Sequence, residues 1–135
     1  MVIEVSLRDL ASVRRVGRDY YVQCPASGLK RVLSRLVTDF DCYFINSISG
    51  VDAGSSIDVI YHLTVRDFIV SVKVSLPRSD PKIGSVTGLF PGAALYEREL
   101  MEMLGVKILD HPTGGRLFLP DDFPEVYPLR KESLK

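Results

Sequence analysis

Hydrophobic and polar positions along this chain change period several times, and each period predicts an element. Val13 to Gln23 reads as two short strands about a turn at Gly17-Arg18-Asp19, with Tyr20, Tyr21 and Val22 as good strand formers. Pro25, Ala26 and Ser27 then open a helix whose apolar residues are Leu29, Val32, Leu33, Leu36, Val37 and Phe40. That spacing is one helical stripe, with Lys30, Arg31, Arg35 and Asp39 off it toward water. Tyr43-Phe44-Ile45 begins a strand that ends near the turn residues 50–56. Next, Val59, Tyr61, Leu63 and Val65 alternate with Asp58, Ile60, His62 and Thr64. After a tight turn at Arg66-Asp67, the residues Phe68, Val70, Val72, Val74 and Leu76 alternate with Ile69, Ser71, Lys73 and Ser75. Period-two alternation gives each strand one packed face and one wetter face, as in an antiparallel sheet covered on one side. Pro77, which has no N–H for the ladder, closes the run.

A second helix is predicted from Pro91 to Leu104, with Pro in the first turn and Gly105 just past the end. On it Tyr96, Leu100, Met103 and Leu104 mark the packed side, and Glu97, Arg98 and Glu102 look outward, Arg98 and Glu102 pairing weakly four apart. The fold class is therefore α+β: a mainly antiparallel meander, two helices packed on one face, and an extended proline-rich C-terminal arm. The body takes residues 1–111 and the arm residues 112–135. Pro112, Pro120, Pro124 and Pro128 break any regular element there. Yet Leu117, Phe118, Leu119, Phe123, Val126, Tyr127 and Leu129 are too apolar for a solvated tail. An extended arm of this length reaches about 70 Å, and its apolar residues call for a partner protein to lie against.

Composition narrows the function. With 135 residues, the chain is one ordinary domain that buries a core without metal or disulfide help. Seventeen basic residues balance seventeen acidic ones, which argues against nucleic acid as the main partner, and Arg14, Arg15 and Arg18 form only a small basic patch. Two cysteines, Cys24 and Cys42, are too few for a four-thiolate cluster and read as reduced, half-buried small hydrophobes in a cytosolic protein. The first residues lack the pattern of a signal peptide, and no run of apolar residues is long enough to span a membrane.

Candidate chemistry is thin. His62 and His111 have no second ligand at metal spacing. Gly84, Gly88 and Gly92 do not form a phosphate loop, and no nucleophile elbow is present. A solvated helix face accounts for Glu97, Glu99 and Glu102 more simply than acid–base work. No catalytic, cofactor-binding or metal-binding residue is assigned.

Several motifs in order carry a family resemblance. They are Gly50-Val51-Asp52, Tyr61-His62-Leu63, Ser85-Val86-Thr87, the stretch from Glu97-Arg98-Glu99 through Glu102 to Gly105, and His111-Pro112. Downstream follow Arg116-Leu117-Phe118-Leu119-Pro120-Asp121-Asp122-Phe123 and Tyr127-Pro128-Leu129-Arg130-Lys131. Over roughly residues 20–132 the chain resembles the 30-kDa subunit family of respiratory complex I (the C subunit of NADH-quinone oxidoreductase), which also occurs in membrane-bound NiFe hydrogenases and related archaeal ferredoxin-linked complexes. Glu102 stands where the family usually has Asp, Gly115 replaces the first Arg of a pair, and Ala94-Leu95-Tyr96 stands where an aromatic usually precedes the E-R-E. With the missing long extensions, these departures lean toward an archaeal, hydrogenase-like or sulfur-reducing relative.

The resemblance implies a cofactor-free, non-catalytic subunit of the peripheral arm of a membrane-bound, ion-translocating oxidoreductase, at the cytoplasmic face. Its partners would be the large hydrogenase-like subunit and the iron–sulfur small subunit of the same complex. Iron–sulfur clusters, and NiFe in the hydrogenase branch, would sit in those partners. The docking residues would be Glu97, Arg98, Glu99, His111, Arg116, Leu117, Phe118, Pro120, Asp121, Asp122, Tyr127, Arg130 and Lys131. A stand-alone α+β ligand-binding or enzymatic module, with a pocket near His62 or the Ser85–Gly92 loop, is the alternative.

Overall fold

A computed structural model describes residues 2–111. A short helix, α1 (Val2–Leu7), comes first, and from there the elements follow the hydrophobic periods closely. Strands β1 (Ser12–Val16) and β2 (Asp19–Gln23) form a hairpin closed by Gly17 and Arg18, with Gly17 at a φ of +62°. That left-handed conformation suits a two-residue turn and favours glycine. A single 3₁₀ turn at Ala26–Gly28 leads into helix α2 (Leu29–Phe40), which buries Leu29, Val32, Leu33, Leu36 and Phe40. Strands β3 (Ile45–Asp52), β4 (Ser56–Val65) and β5 (Phe68–Pro77) are antiparallel neighbours. A second 3₁₀ turn, Pro91–Ala93, precedes helix α3 (Ala94–Leu104), which stops at Gly105 with a φ of +73°.

The sheet order is β1-β2-β5-β4-β3. Ile57, Val59, Tyr61, Leu63 and Val65 of β4 and Val70, Val72, Val74 and Leu76 of β5 share one buried cluster with the stripes of α2 and α3. The helices therefore cover one face. The α+β class, with a mostly antiparallel sheet and two main helices, is as the periodicity predicts.

The details depart from the prediction at four places. The sheet is not a simple meander, because β2 pairs with β5 in parallel. The β1–β2 hairpin thus occupies the edge of β5 that the β4–β5 hairpin leaves open. Helix α1 buries Ile3 and Leu7, and the Arg35 guanidinium of α2 donates to its Ser6 carbonyl at 2.6 Å. Six residues carry too few periods to announce a helix. A second, two-stranded parallel sheet joins β6 (Lys82–Gly84) to β7 (Lys107–Leu109). Tyr43 and Phe44 precede β3 rather than opening it, and Phe44 is 82% exposed.

Helix α3 lies close over β3. A Cβ at Gly50 would fall inside van der Waals distance of both Leu100 and Leu104, so the glycine sets that separation. Two residues on, the buried Asp52 carboxylate accepts the Gly54 N–H at 3.0 Å and pairs with Arg78. Asp52 thereby ties the β3–β4 turn to the segment after β5.

Candidate docking site and its buried carboxylate

Helix α3 carries three of the predicted docking residues, Glu97, Arg98 and Glu99, and most of its charged face does not look outward. Glu97 is fully buried, Glu102 is 2% exposed and Arg98 is 8% exposed. Of the E-R-E triplet only Glu99 meets solvent. The outward assignment of Glu97, Arg98 and Glu102 is therefore corrected. The physical reason lies in the period: Ala93, Glu97, Leu100 and Leu104 stand four, three and four apart, one helical stripe, and all four are buried. Leu95 breaks the opposite way, 59% exposed despite its apolar side chain. Tyr96 and Met103, predicted on the packed side with Leu100 and Leu104, are only half-buried.

What Glu97 does inside is visible in its hydrogen bonds. One oxygen accepts the Ser85 hydroxyl at 2.7 Å and the other accepts the Val86 N–H at 2.8 Å. Because Ser85 directs its proton to the carboxylate, the Thr87 hydroxyl donates to Ser85 Oγ at 2.8 Å, and the Thr87 N–H approaches the same oxygen at 3.2 Å. Ser85 N–H donates to the Leu109 carbonyl at 2.8 Å, extending the β6–β7 pairing. His111 Nε2 donates to the Ala94 carbonyl at 3.0 Å and stands 4.0 Å from Glu97 Oε1. Arg98 and Glu102 approach at 3.9 Å, both nearly buried. One carboxylate thus fastens the Ser85–Thr87 loop to α3, beside the point where the chain reaches residue 112. The S-V-T and E-R-E motifs and His111 meet in space, although they are separate stretches of the sequence.

This cluster has the geometry of a clamp. The carboxylate is buried and its oxygens are engaged by donors, which suits positioning. Tyr61 of β4, on the covered face of the sheet, is fully buried, and its hydroxyl has no hydrogen-bond partner among the described residues. Burial, with the Glu97 and Cys24 charges added, pushes the phenol well above its ordinary range. Cys24 and Cys42 are buried and unpaired, and burial pushes the Cys24 thiol up to about 11. Among the described residues no three His, Cys, Asp or Glu gather to hold a metal, and no helix is long and apolar enough to cross a membrane. Arg116, Leu117, Phe118, Pro120, Asp121, Asp122, Tyr127, Arg130 and Lys131, with the arm that carries them, lie outside the described residues.

His62 stands on the opposite face of the sheet, remote from this clamp in register. Its alternation predicts the polar side of its strand, and it is there, half-buried between Ser49 and Ser71.

Comparison with known proteins gives a consistent picture. A family model described as respiratory-chain NADH dehydrogenase, 30 Kd subunit, matches residues 22–134. The C subunit of NADH-quinone oxidoreductase from Moorella thermoacetica is 35% identical over 112 residues, covering 80% of this chain and 75% of that protein. The C subunit of F(420)H(2) dehydrogenase from Methanosarcina mazei is 38% identical over 90 residues, covering 64% of this chain and 57% of that protein. The joined C/D subunit of NADH-quinone oxidoreductase from Phocaeicola vulgatus is 34% identical, covering 82% of this chain but 22% of that protein. The chain therefore spans only part of several relatives. Among solved structures, a chain of the membrane-bound sulfane sulfur reductase, an archaeal respiratory membrane complex, superposes with a TM-score of 0.85 at 23% identity, over 97% of this chain and 82% of that one. A trypsin-resistant fragment of Nqo5 superposes with a TM-score of 0.69 at 23% identity, over 82% and 95% respectively. These two likenesses establish a shared fold.

Proposed function

This chain belongs to the 30 Kd subunit family of respiratory-chain NADH dehydrogenase, and from that premise we propose that it is a non-catalytic docking subunit of a membrane-bound, ion-translocating oxidoreductase. In this reading it holds no cofactor of its own and sits in the peripheral arm at the cytoplasmic face. It binds the large hydrogenase-like subunit beside the iron–sulfur small subunit, and these partners carry the clusters and, in a hydrogenase branch, NiFe. Electrons then pass through the neighbours, and this chain fixes their geometry.

The observation that carries the reading is the Glu97 clamp. A carboxylate that joins the Ser85–Thr87 loop and α3 and stands beside His111 holds the end of the body that precedes residues 112–135. Within that reading Glu97, Arg98 and His111 act by positioning, Glu99 is available for direct contact, and Arg116, Leu117, Phe118, Pro120, Asp121, Asp122, Tyr127, Arg130 and Lys131 supply the docking segment. The joined C/D name of the Phocaeicola relative supports the large subunit as partner.

The test is to express the chain ending at Pro112 beside the full chain, each with the large subunit, and to compare co-purification. The shortened chain is expected to keep its circular-dichroism spectrum and to lose the large subunit. Undiminished binding would overturn the docking role of the arm.

A further inference from the structure

The face of the sheet away from α2 and α3 carries polar groups in an order that the docking role does not use. Two cross-strand rows run over it. In the first, Arg14, Tyr21, Ser71, His62 and Ser47 are successive partners from β1 through β2, β5 and β4 to β3. In the second, Ser12, Gln23, Lys73, Ile60 and Ser49 are successive partners in the same strand order. Neither row contains a carboxylate. Between their β1–β4 portions lies a concavity of about 450 Å³, within the size range of small-molecule sites.

We propose that this concavity binds a small organic anion, a phosphate or carboxylate carried on a flat apolar body, with the Arg14 guanidinium, the Lys73 ammonium and the Ser71 hydroxyl facing its charge.

The parts are arranged for that ligand. Arg14 stands 5.6 Å over the Tyr21 ring, and both side chains line the concavity. Lys73 keeps a side chain 43% exposed while touching Asp58 at 3.6 Å. Asp58 pairs with Lys73; it is buried and accepts the Ser56 hydroxyl at 2.9 Å, so it steadies Lys73, and among the described residues Arg14 has no ion-pair partner. His62 is bridged by Ser49 Oγ at Nε2, 3.1 Å, and by Ser71 Oγ at Nδ1, 3.3 Å. A neutral imidazole donates through one nitrogen and accepts through the other, so one of these serines keeps its proton for another acceptor. Ile60 and the Tyr21 ring supply the apolar lining. Two cations, hydroxyl donors and an apolar floor in one hollow form the complement of an amphipathic anion.

The experiment uses the full chain, ¹⁵N-labelled, titrated separately with phenyl phosphate, inorganic phosphate and benzyl alcohol. Saturable shifts confined to Arg14, Tyr21, His62, Ser71 and Lys73 with phenyl phosphate, and weaker ones with inorganic phosphate, are expected. Arg14→Gln with Lys73→Gln is expected to weaken phenyl phosphate about tenfold or more while the variant stays folded, as its circular-dichroism spectrum reads, with some loss of stability because Asp58 loses its Lys73 partner. Absence of saturation at millimolar phenyl phosphate would overturn the proposal. So would equal binding of benzyl alcohol, or affinity retained in the double variant. Protection of these same residues by a protein subunit in the assembled complex, with no response to phenyl phosphate, would assign the face to a protein partner instead and equally overturn it. None of these outcomes depends on the docking of residues 112–135.

Discussion

The two faces of one sheet hold their polar groups under opposite rules. On the helix side, Glu97 sits at zero exposure and each of its oxygens has a donor. On the open side, Arg14 stands in water, Lys73 is partly exposed, and His62 is half-buried between two serines. The same alternation produces both, since Tyr61 and His62 are neighbours in β4 and point to opposite sides. A charge accepted into the core must be satisfied completely or it costs several kcal/mol. A charge left at the surface costs little and stays available. The interior cluster therefore fixes geometry, and the open face is where a new ligand can be recognised without disturbing the core.

Breaking the interior side should give the largest effect. Glu97→Ala strands the Ser85 hydroxyl and the Val86 N–H in a buried site, so a loss of about 3 kcal/mol is expected. Glu99→Ala, two residues on and exposed, should stay within about 0.5 kcal/mol. Urea unfolding of the two variants side by side measures the contrast. Equal and small losses would mean that Glu97 is not a clamp.

Legibility in the sequence follows the same division. The α2 stripe and the β4–β5 alternation are regular over many residues, so their buried faces are readable directly. The α3 face misleads because its charges suggest exposure, whereas the four-three-four spacing of Ala93, Glu97, Leu100 and Leu104 already puts Glu97 inside. The parallel β2–β5 pairing leaves no local mark, because it depends on which sheet edge a distant hairpin finds. The open-face site is half legible. Arg14 and His62 stand out separately, but only the register brings Arg14, Ser71, His62 and Lys73 into adjacent rows. The family motifs are plain as strings, and their meeting at one carboxylate is not.

A smaller effect sharpens the open side through pH. Burial lowers the His62 proton affinity below its ordinary value near 6.5. Between the folded and unfolded values the unfolded chain therefore binds the extra proton. Stability from this residue is full above about pH 6.5 and falls as pH drops toward the folded value. Asp58 acts in the same direction only in stronger acid. Its burial raises the carboxyl, but hydrogen bonds from Ser75 and Ser56 and the Lys73 charge outweigh that and hold it below its ordinary 3.8. His62→Gln should change stability by less than about 0.5 kcal/mol at pH 8 and flatten the decline below pH 6.5. An unchanged acid slope would remove His62 as its source.

A near-neutral change tests the interior rule at its own exception. Tyr61 buries a hydroxyl that has no partner among the described residues, within the electrostatic reach of the Glu97 carboxylate, whose oxygens are engaged. A buried donor left unmade is a cost carried by the folded state, and deleting it removes the cost without opening a cavity of any size. Tyr61→Phe should therefore be neutral or stabilising by up to about 1 kcal/mol, while Glu97→Ala on the helix above is strongly destabilising. The pair separates two explanations of why polar groups lie under α3. If each were there for stability, both substitutions would be costly. A neutral Tyr61→Phe beside a costly Glu97→Ala assigns the stability to the clamp alone, and a loss above about 1 kcal/mol for Tyr61→Phe would show that its hydroxyl belongs to the clamp as well.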